Sequence, residues 1–339
     1  MTPMKRVHGG PDGGSPLRWD FSVNANAVGP CPAALVAVRL ADRCRYPDPA
    51  YAALREALGR FHRVPAGRVV IGGSASELIM RISHCASRRG VRRAWWPPAA
   101  YGDYAHAAGV AGLQRTETLE AAGLAWLCEP ASPTGRHEPG LLQLIAGHSG
   151  QAGQAWRVLD AAYEPLRLSG APSLDAGQRS HLWQLWTPNK ALGLTGVRAA
   201  YALAPVGSAD AVQALEAAAP SWVLGAEGVA LLSAWTTPAV QRWLAGTLPV
   251  LREWKRLQLD WLQARGWHCQ PGDTPFLCVQ PPRPLDLTGL RRHGIGLRDA
   301  ASLGMPGWYR MAVLPPPALQ ALDRAVGSPA GHTVCGAGA

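Results

Sequence analysis

The chain has 339 residues, 47% hydrophobic and 17% charged, with a formal net charge of +10 at pH 7. That length supports a large buried core, most simply one large domain with a smaller companion. No apolar run reaches the ~18 residues of a membrane helix, because Glu216, Glu227 and neighbouring polar residues interrupt the richest region. Met1 to Arg6 lacks an apolar stretch behind its charges, so no signal peptide is expected, and a cytoplasmic, membrane-free protein is. Seven scattered cysteines without CxxC spacing argue against a disulfide framework or a zinc site, and no metal is expected. The basic cluster from Arg88 to Arg93, beside Trp95 and Trp96, raises nucleic acid as a partner. Its arginines instead flank Gly90, where cations complement a helix C-terminus, so no nucleic acid is expected. Small anionic substrates suit the same charge.

In chain order, residues 1–19 are rich in Gly and Pro and read as an arm, in which His8-Gly9-Gly10 is a tether or an anion-binding corner. Asn24 and Asn26 follow, two apart and so on one side of an extended backbone. They either grip a polar ligand or cap the helix expected over 33–43. A second helix spans 51–62, after Tyr46-Pro47-Asp48-Pro49. From residue 68 short apolar runs (69–71, 94–96, 125–128, 156–160, 182–186, 199–204) alternate with helical stretches. That alternation predicts an α/β fold, a mainly parallel sheet with helices on both faces. Ligands of such sheets sit at the carboxyl ends of the strands, and here polar residues follow each run within a few positions.

After 69–71 comes Gly72-Gly73-Ser74-Ala75-Ser76-Glu77, a small-residue turn opening a helix. It reads as a phosphate seat, as a Ser74/Glu77 capping box, or as both. After 94–96 comes Tyr101, an aromatic face for a flat ring. After 125–128 comes the rigid turn Glu129-Pro130-Ala131-Ser132-Pro133-Thr134-Gly135. The fourth run ends in Asp160, costly to bury unless it meets a cation or donor such as a protonated ring nitrogen, and Tyr163 follows. The fifth leads into Thr187-Pro188-Asn189-Lys190. Only three of the 33 cationic residues are lysines (5, 190 and 255), and a lysine in an apolar setting suits amine chemistry, although an ordinary surface lysine has the same local pattern. Helices over 209–218, 227–235 and 240–265 precede a smaller α+β unit, with strands at 276–279 and 309–313 and helices at 287–293 and 317–326. Residues 328–339 read as a disordered tail.

The ordered set of Gly-rich turn, Tyr101, Pro133-Thr134-Gly135, Asp160-x-x-Tyr163, Lys190, Arg198 and Tyr201 resembles fold-type I pyridoxal phosphate enzymes of the class I/II aminotransferase family, over residues 18–326. The resemblance implies a large cofactor-binding domain over 46–235 and a small C-terminal domain over 236–327. Residues 1–45 would supply the arm and the first helix of the small domain. It implies that Lys190 holds pyridoxal 5'-phosphate covalently, that Asp160 keeps the pyridine nitrogen protonated, and that Tyr163 bonds the ring hydroxyl. Tyr101 would stack on the ring, and Ala75, Ser76, Thr187 and Arg198 would hold its phosphate. Ser132 stands where the family's Asn contacts the ring hydroxyl, and Asn189 where a Ser or Thr precedes the lysine. Tyr46 would reach the neighbour's cofactor in a homodimer, and Arg310 would grip the substrate carboxylate.

His8-Gly9-Gly10 with Asn24, Asn26 and Tyr46-Pro47-Asp48-Pro49 is similar to the L-threonine-O-3-phosphate decarboxylases of cobalamin biosynthesis, relatives of histidinol-phosphate aminotransferase. That similarity implies His8, Asn24 and Arg298 at a substrate phosphate, and decarboxylation of threonine phosphate to aminopropanol phosphate. The alternative is an aminotransferase of a phosphorylated substrate such as histidinol phosphate. A non-catalytic relative is the third reading. Which bond at Cα stands perpendicular to the ring separates the first two.

Overall fold

The computed structural model describes residues 14, 16–137, 141 and 155–326. His8 and the tail at 328–339 lie outside the described residues. The chain enters through β1 (Trp19–Asp20), followed by α1 (Pro32–Arg39) and α2 (Ala52–His62). Then β2 (Val69–Gly72), α3 (Ala75–Arg88), β3 (Arg93–Trp95), α4 (Gly102–Val110), β4 (Gln114–Arg115), β5 (Leu124–Cys128), β6 (Trp156–Asp160), the one-turn α5 (Ala176–Arg179), β7 (Trp183–Trp186) and β8 (Ala200–Leu203) build the central layer. Its seven strands run in the order β2-β8-β7-β6-β5-β3-β4. Strand β8 is antiparallel to both neighbours and every other pairing is parallel.

Strands β5 and β7 are buried at every residue, because helices cover both faces of the sheet. Alternate side chains therefore enter different cores. Val70, Trp126, Val158 and Leu185 pack with Leu78 and Ile82 of α3 and Tyr104 of α4. Ile71, Trp186 and Tyr201 pack on the other face against Leu54 and Leu58 of α2 and residues of the helices that follow β8. Those helices are α6 (Ala209–Ala217), α7 (Ala226–Trp235) and the 27-residue α8 (Pro238–Ala264). Among the described helices none is long and apolar enough to cross a membrane.

Then come β9 (His268–Cys269), β10 (Phe276–Gln280), α9 (Leu287–Arg292), β11 (Ile295–Gly296), β12 (Arg298–Asp299), β13 (Tyr309–Ala312) and α10 (Pro316–Val326). Strands β12-β13-β10-β9 form an antiparallel sheet whose core joins Leu277 and Met311 to Leu262 of α8 and to Leu319 and Leu322 of α10. Strand β1 pairs with β11 in parallel, Trp19 beside Ile295 and Asp20 beside Gly296, which ties this early segment to the small C-terminal unit.

Three expectations change. Helix α1 ends at Arg39, four residues before its expected end, and its N-cap is Cys31 with no side-chain bond, so neither asparagine caps it. The capping box at α3 is half formed: Ser74 Oγ accepts the Glu77 N–H at 3.1 Å, but the Glu77 carboxylate accepts from Gly73 N–H and pairs with Arg81, one helical turn on. The short strands β1, β4, β9, β11 and β12 have two residues each, too few to show a period in sequence.

Candidate active site

Lys190 sits in the turn after β7, and the backbone of residues 26–31 clamps that turn. Asn26 N–H donates to the Lys190 carbonyl at 2.9 Å and Cys31 N–H to the Leu192 carbonyl at 2.8 Å. Asn26 Nδ2 binds the Ala191 carbonyl and Thr247 Oγ1. Gly193 has φ +66°, and a Cβ there would lie 2.7 Å from the Gly29 carbonyl oxygen, so glycine is required by both conformation and space. The half-buried Lys190 side chain is thereby aimed at Tyr163, its Nζ 4.4 Å from the ring centroid. Burial pulls the ammonium down, but Tyr163, Asp160 and Tyr101 outweigh it and hold its pKa above the usual lysine value.

Asp160 ends β6, between Cys128 of β5 and Leu185 of β7, and is 4% exposed. Its Oδ1 accepts the Ala162 N–H at 3.0 Å and its Oδ2 accepts the Tyr104 hydroxyl at 2.8 Å. Burial raises its pKa, against Lys190, Tyr104 and the Ala162 N–H, which lower it. Tyr104 is a partner that the sequence reading missed. Its signal was present, because Tyr101 and Tyr104 are three apart on one turn at the start of α4. Tyr101 itself lies at the N-cap of α4, its hydroxyl 3.3 Å from Ser76 Oγ, and burial pushes that phenol up to about 12.

The turn before α3 is tight: a Cβ on Gly73 would lie 2.8 Å from the Val223 carbonyl. It places the N–H groups of Ala75 and Ser76 at the start of a 14-residue helix, where the dipole favours an anion. Thr187, 5% exposed, has an Oγ1 with no protein partner among the described residues. A buried hydroxyl left in this state calls for a ligand. Ser132 is also buried, in the turn after β5, whose Ser132–Pro133 and Glu129–Pro130 peptides are both cis. Arg198, by contrast, is exposed and makes no hydrogen bond or ion pair among the described residues.

The small sheet brings Arg298 and Arg310 together as cross-strand partners, 5% and 8% exposed. Arg298 Nη2 donates to Ser302 Oγ at 2.8 Å and Arg310 Nη2 to the Ser22 carbonyl at 3.0 Å, while Arg310 Nε has no partner among the described residues. Burial, and then Arg310, hold the Arg298 guanidinium below its usual pKa. Two residues beyond Ser22, Asn24 is 4% exposed and neither end of its amide has a partner among the described residues. The two asparagines thus divide: Asn26 binds the lysine turn and Asn24 does not. Tyr46 is 77% exposed and stacks on Trp222, ring centroids 4.2 Å apart.

A family model described as aminotransferase class I and II matches residues 19–328. The chain belongs to that family. As a class I/II aminotransferase relative it is an enzyme of pyridoxal 5'-phosphate, on the fold-type I architecture. It is 26% identical to histidinol-phosphate aminotransferase 2 of Rhizobium meliloti, over 86% of this chain and 87% of that one. It is 30% identical to threonine-phosphate decarboxylase of Salmonella typhimurium, over 58% of each. Among solved structures it resembles histidinol-phosphate aminotransferase from Sinorhizobium meliloti in complex with pyridoxal-5'-phosphate, with a TM-score of 0.75, 21% identity and coverage of 92% and 90%.

The residues present fit the family's cofactor. A lysine amine, a buried carboxylate, a helix N-terminus for a phosphate and the orphaned Thr187 hydroxyl all lie at the carboxyl ends of the strands.

Proposed function

We propose that this enzyme is an aminotransferase of a phosphorylated amino compound, the reading that its full-length relatives favour over the decarboxylase. The observation that carries the substrate class is the buried Arg298–Arg310 pair, with Asn24 unpartnered close by in sequence to Ser22. Like charges directly opposite on neighbouring strands are unfavourable, and a bound anion offsets that repulsion. In this reading the two guanidinium groups and Asn24 bind the phosphate or carboxylate of the substrate and fix which bond at Cα faces the ring.

Lys190 would hold pyridoxal 5'-phosphate, with Ala75, Ser76, Thr187 and Arg198 at its phosphate, Tyr101 on the ring face, and Tyr163 and Ser132 at the ring hydroxyl. Bound there, the cofactor supplies an electron sink beside Cα. Asp160 keeps the ring nitrogen protonated. Released by the substrate amine, Lys190 Nζ is the base that moves the proton at Cα, and Tyr163 beside it stabilises the ammonium. A second copy would cover the exposed Val36, Leu40, Tyr46 and Trp222 and take Tyr46 towards its own cofactor phosphate. A solution mass equal to the 35.9 kDa of one chain would refute that arrangement.

The test is a single-turnover reaction of the cofactor-loaded enzyme. Histidinol phosphate or glutamate is expected to bleach the visible band to the amine form in proportion to enzyme, without release of carbon dioxide. Multiple-turnover release of carbon dioxide from L-threonine phosphate would replace the aminotransferase with the decarboxylase. That second reading has its own support in the His8-Gly9-Gly10 and Asn24 pattern and in the match to the Salmonella enzyme. No response to any of the three compounds would sink both.

A further inference from the structure

We infer that Tyr104 is a positioning residue for the cofactor ring nitrogen, acting through Asp160. The inference rests on the assignment of Asp160 to that nitrogen. Its basis is the arrangement of every group that faces the carboxylate. From α4 comes the Tyr104 hydroxyl, 2.8 Å from Oδ2. From the residues just past β6 comes the Ala162 N–H, 3.0 Å from Oδ1. The turn after β7 contributes Lys190, and β5 contributes Cys128, the register partner of Asp160.

Of these, only Tyr104 gives the carboxylate a side-chain hydrogen bond. Cys128 directs its thiol to the Pro130 carbonyl at 3.3 Å, and burial together with Asp160 keeps it protonated. Lys190 is the amine that the reaction uses, so its charge is not a constant support. Tyr104 is constant. It is 1% exposed, its ring lies flat on Trp126 with centroids 5.1 Å apart and planes 7° from parallel, and it meets Tyr101 edge-on at 5.8 Å. Burial makes it too weak an acid to ionise, so its hydroxyl proton stays available to Asp160.

A carboxylate in this dry setting drifts toward its neutral form, and a neutral Asp160 cannot hold a proton on a ring nitrogen. The Tyr104 hydroxyl opposes that drift and fixes the carboxylate plane. One turn of α4 therefore provides two services, the ring face through Tyr101 and the ring nitrogen through Tyr104, whose N–H also binds the Tyr101 carbonyl at 3.2 Å.

Tyr104→Phe keeps the stack on Trp126 and removes only the hydroxyl. The measurements are the affinity of the cofactor-free protein for pyridoxal 5'-phosphate and for the analogue with C–H in place of the ring nitrogen, together with the nitrogen-15 shift of labelled bound cofactor. The variant is expected to bind pyridoxal 5'-phosphate roughly ten- to a hundredfold more weakly and the analogue as well as wild type does. The ring nitrogen is expected to lose its proton at lower pH. Equal weakening toward both compounds would make Tyr104 a packing residue and overturn the inference, as would an unchanged nitrogen-15 titration. Wild type that prefers the analogue would instead overturn the assignment of Asp160, and this inference with it.

Discussion

Lys190→Ala is expected to lose turnover by roughly 10⁴-fold or more, and to leave borohydride no lysine to link to the cofactor. The chain makes the test sharp because its only other lysines are Lys5 and Lys255. By acidity alone Lys255 is the better amine, since burial brings it down to about 8, whereas Lys190 lies above the usual lysine value. Geometry decides otherwise. Lys255 Nζ donates to the Gly272 and Thr274 backbone carbonyls, whereas Lys190 Nζ lies over the Tyr163 ring, within the field of Asp160. The raised Lys190 must give up a proton before it can act as a nucleophile. Peptide mapping after borohydride treatment is the readout. A cofactor fixed to Lys255, or activity that persists in Lys190→Ala, would remove the lysine turn from the chemistry.

Arg310→Met is expected to lower kcat/KM by roughly 10²- to 10³-fold while raising the melting temperature of the substrate-free protein. The two effects have one cause. Arg298 and Arg310 are buried opposite each other, and the charge of Arg310 acts against that of Arg298. Replacing one with an apolar chain of similar length relieves repulsion and a desolvation cost. The loss of the Ser22 carbonyl contact opposes this, but it is one hydrogen bond against the repulsion of two buried like charges. Calorimetry and steady-state kinetics on the same variant check the pairing. A lower melting temperature with unchanged kcat/KM would make the pair structural and remove the main support for an anionic substrate.

The sheet was legible because burial on both faces writes an apolar run at every long strand, 69–71 and 125–128 among them. The same double burial hides direction. Nothing in Ala200–Leu203 distinguishes the antiparallel β8 from its parallel neighbours, since each face is covered either way. Lys190, Asp160 and Tyr163 were legible as residues that follow strands, and the fold gathers them. The opposition of Arg298 and Arg310 was not, because it depends on a strand register set by packing on α8 and α10.

The strap from Trp19 to Cys31 has a consequence for how the molecule is made. Phe21 N–H bonds the Gly296 carbonyl, Ala312 N–H bonds the Phe21 carbonyl, and Asn26 and Cys31 close on Lys190 and Leu192. These residues leave the ribosome well before their partners, which are synthesised much later. Contacts so distant along the chain carry a large loop-closure cost and form late. The central sheet can assemble during translation, and Asn26 and Cys31 can reach the lysine turn once residues 190–192 are made, but Phe21 gains its partners only after residues 296 and 312, so the strap is closed at both ends only then.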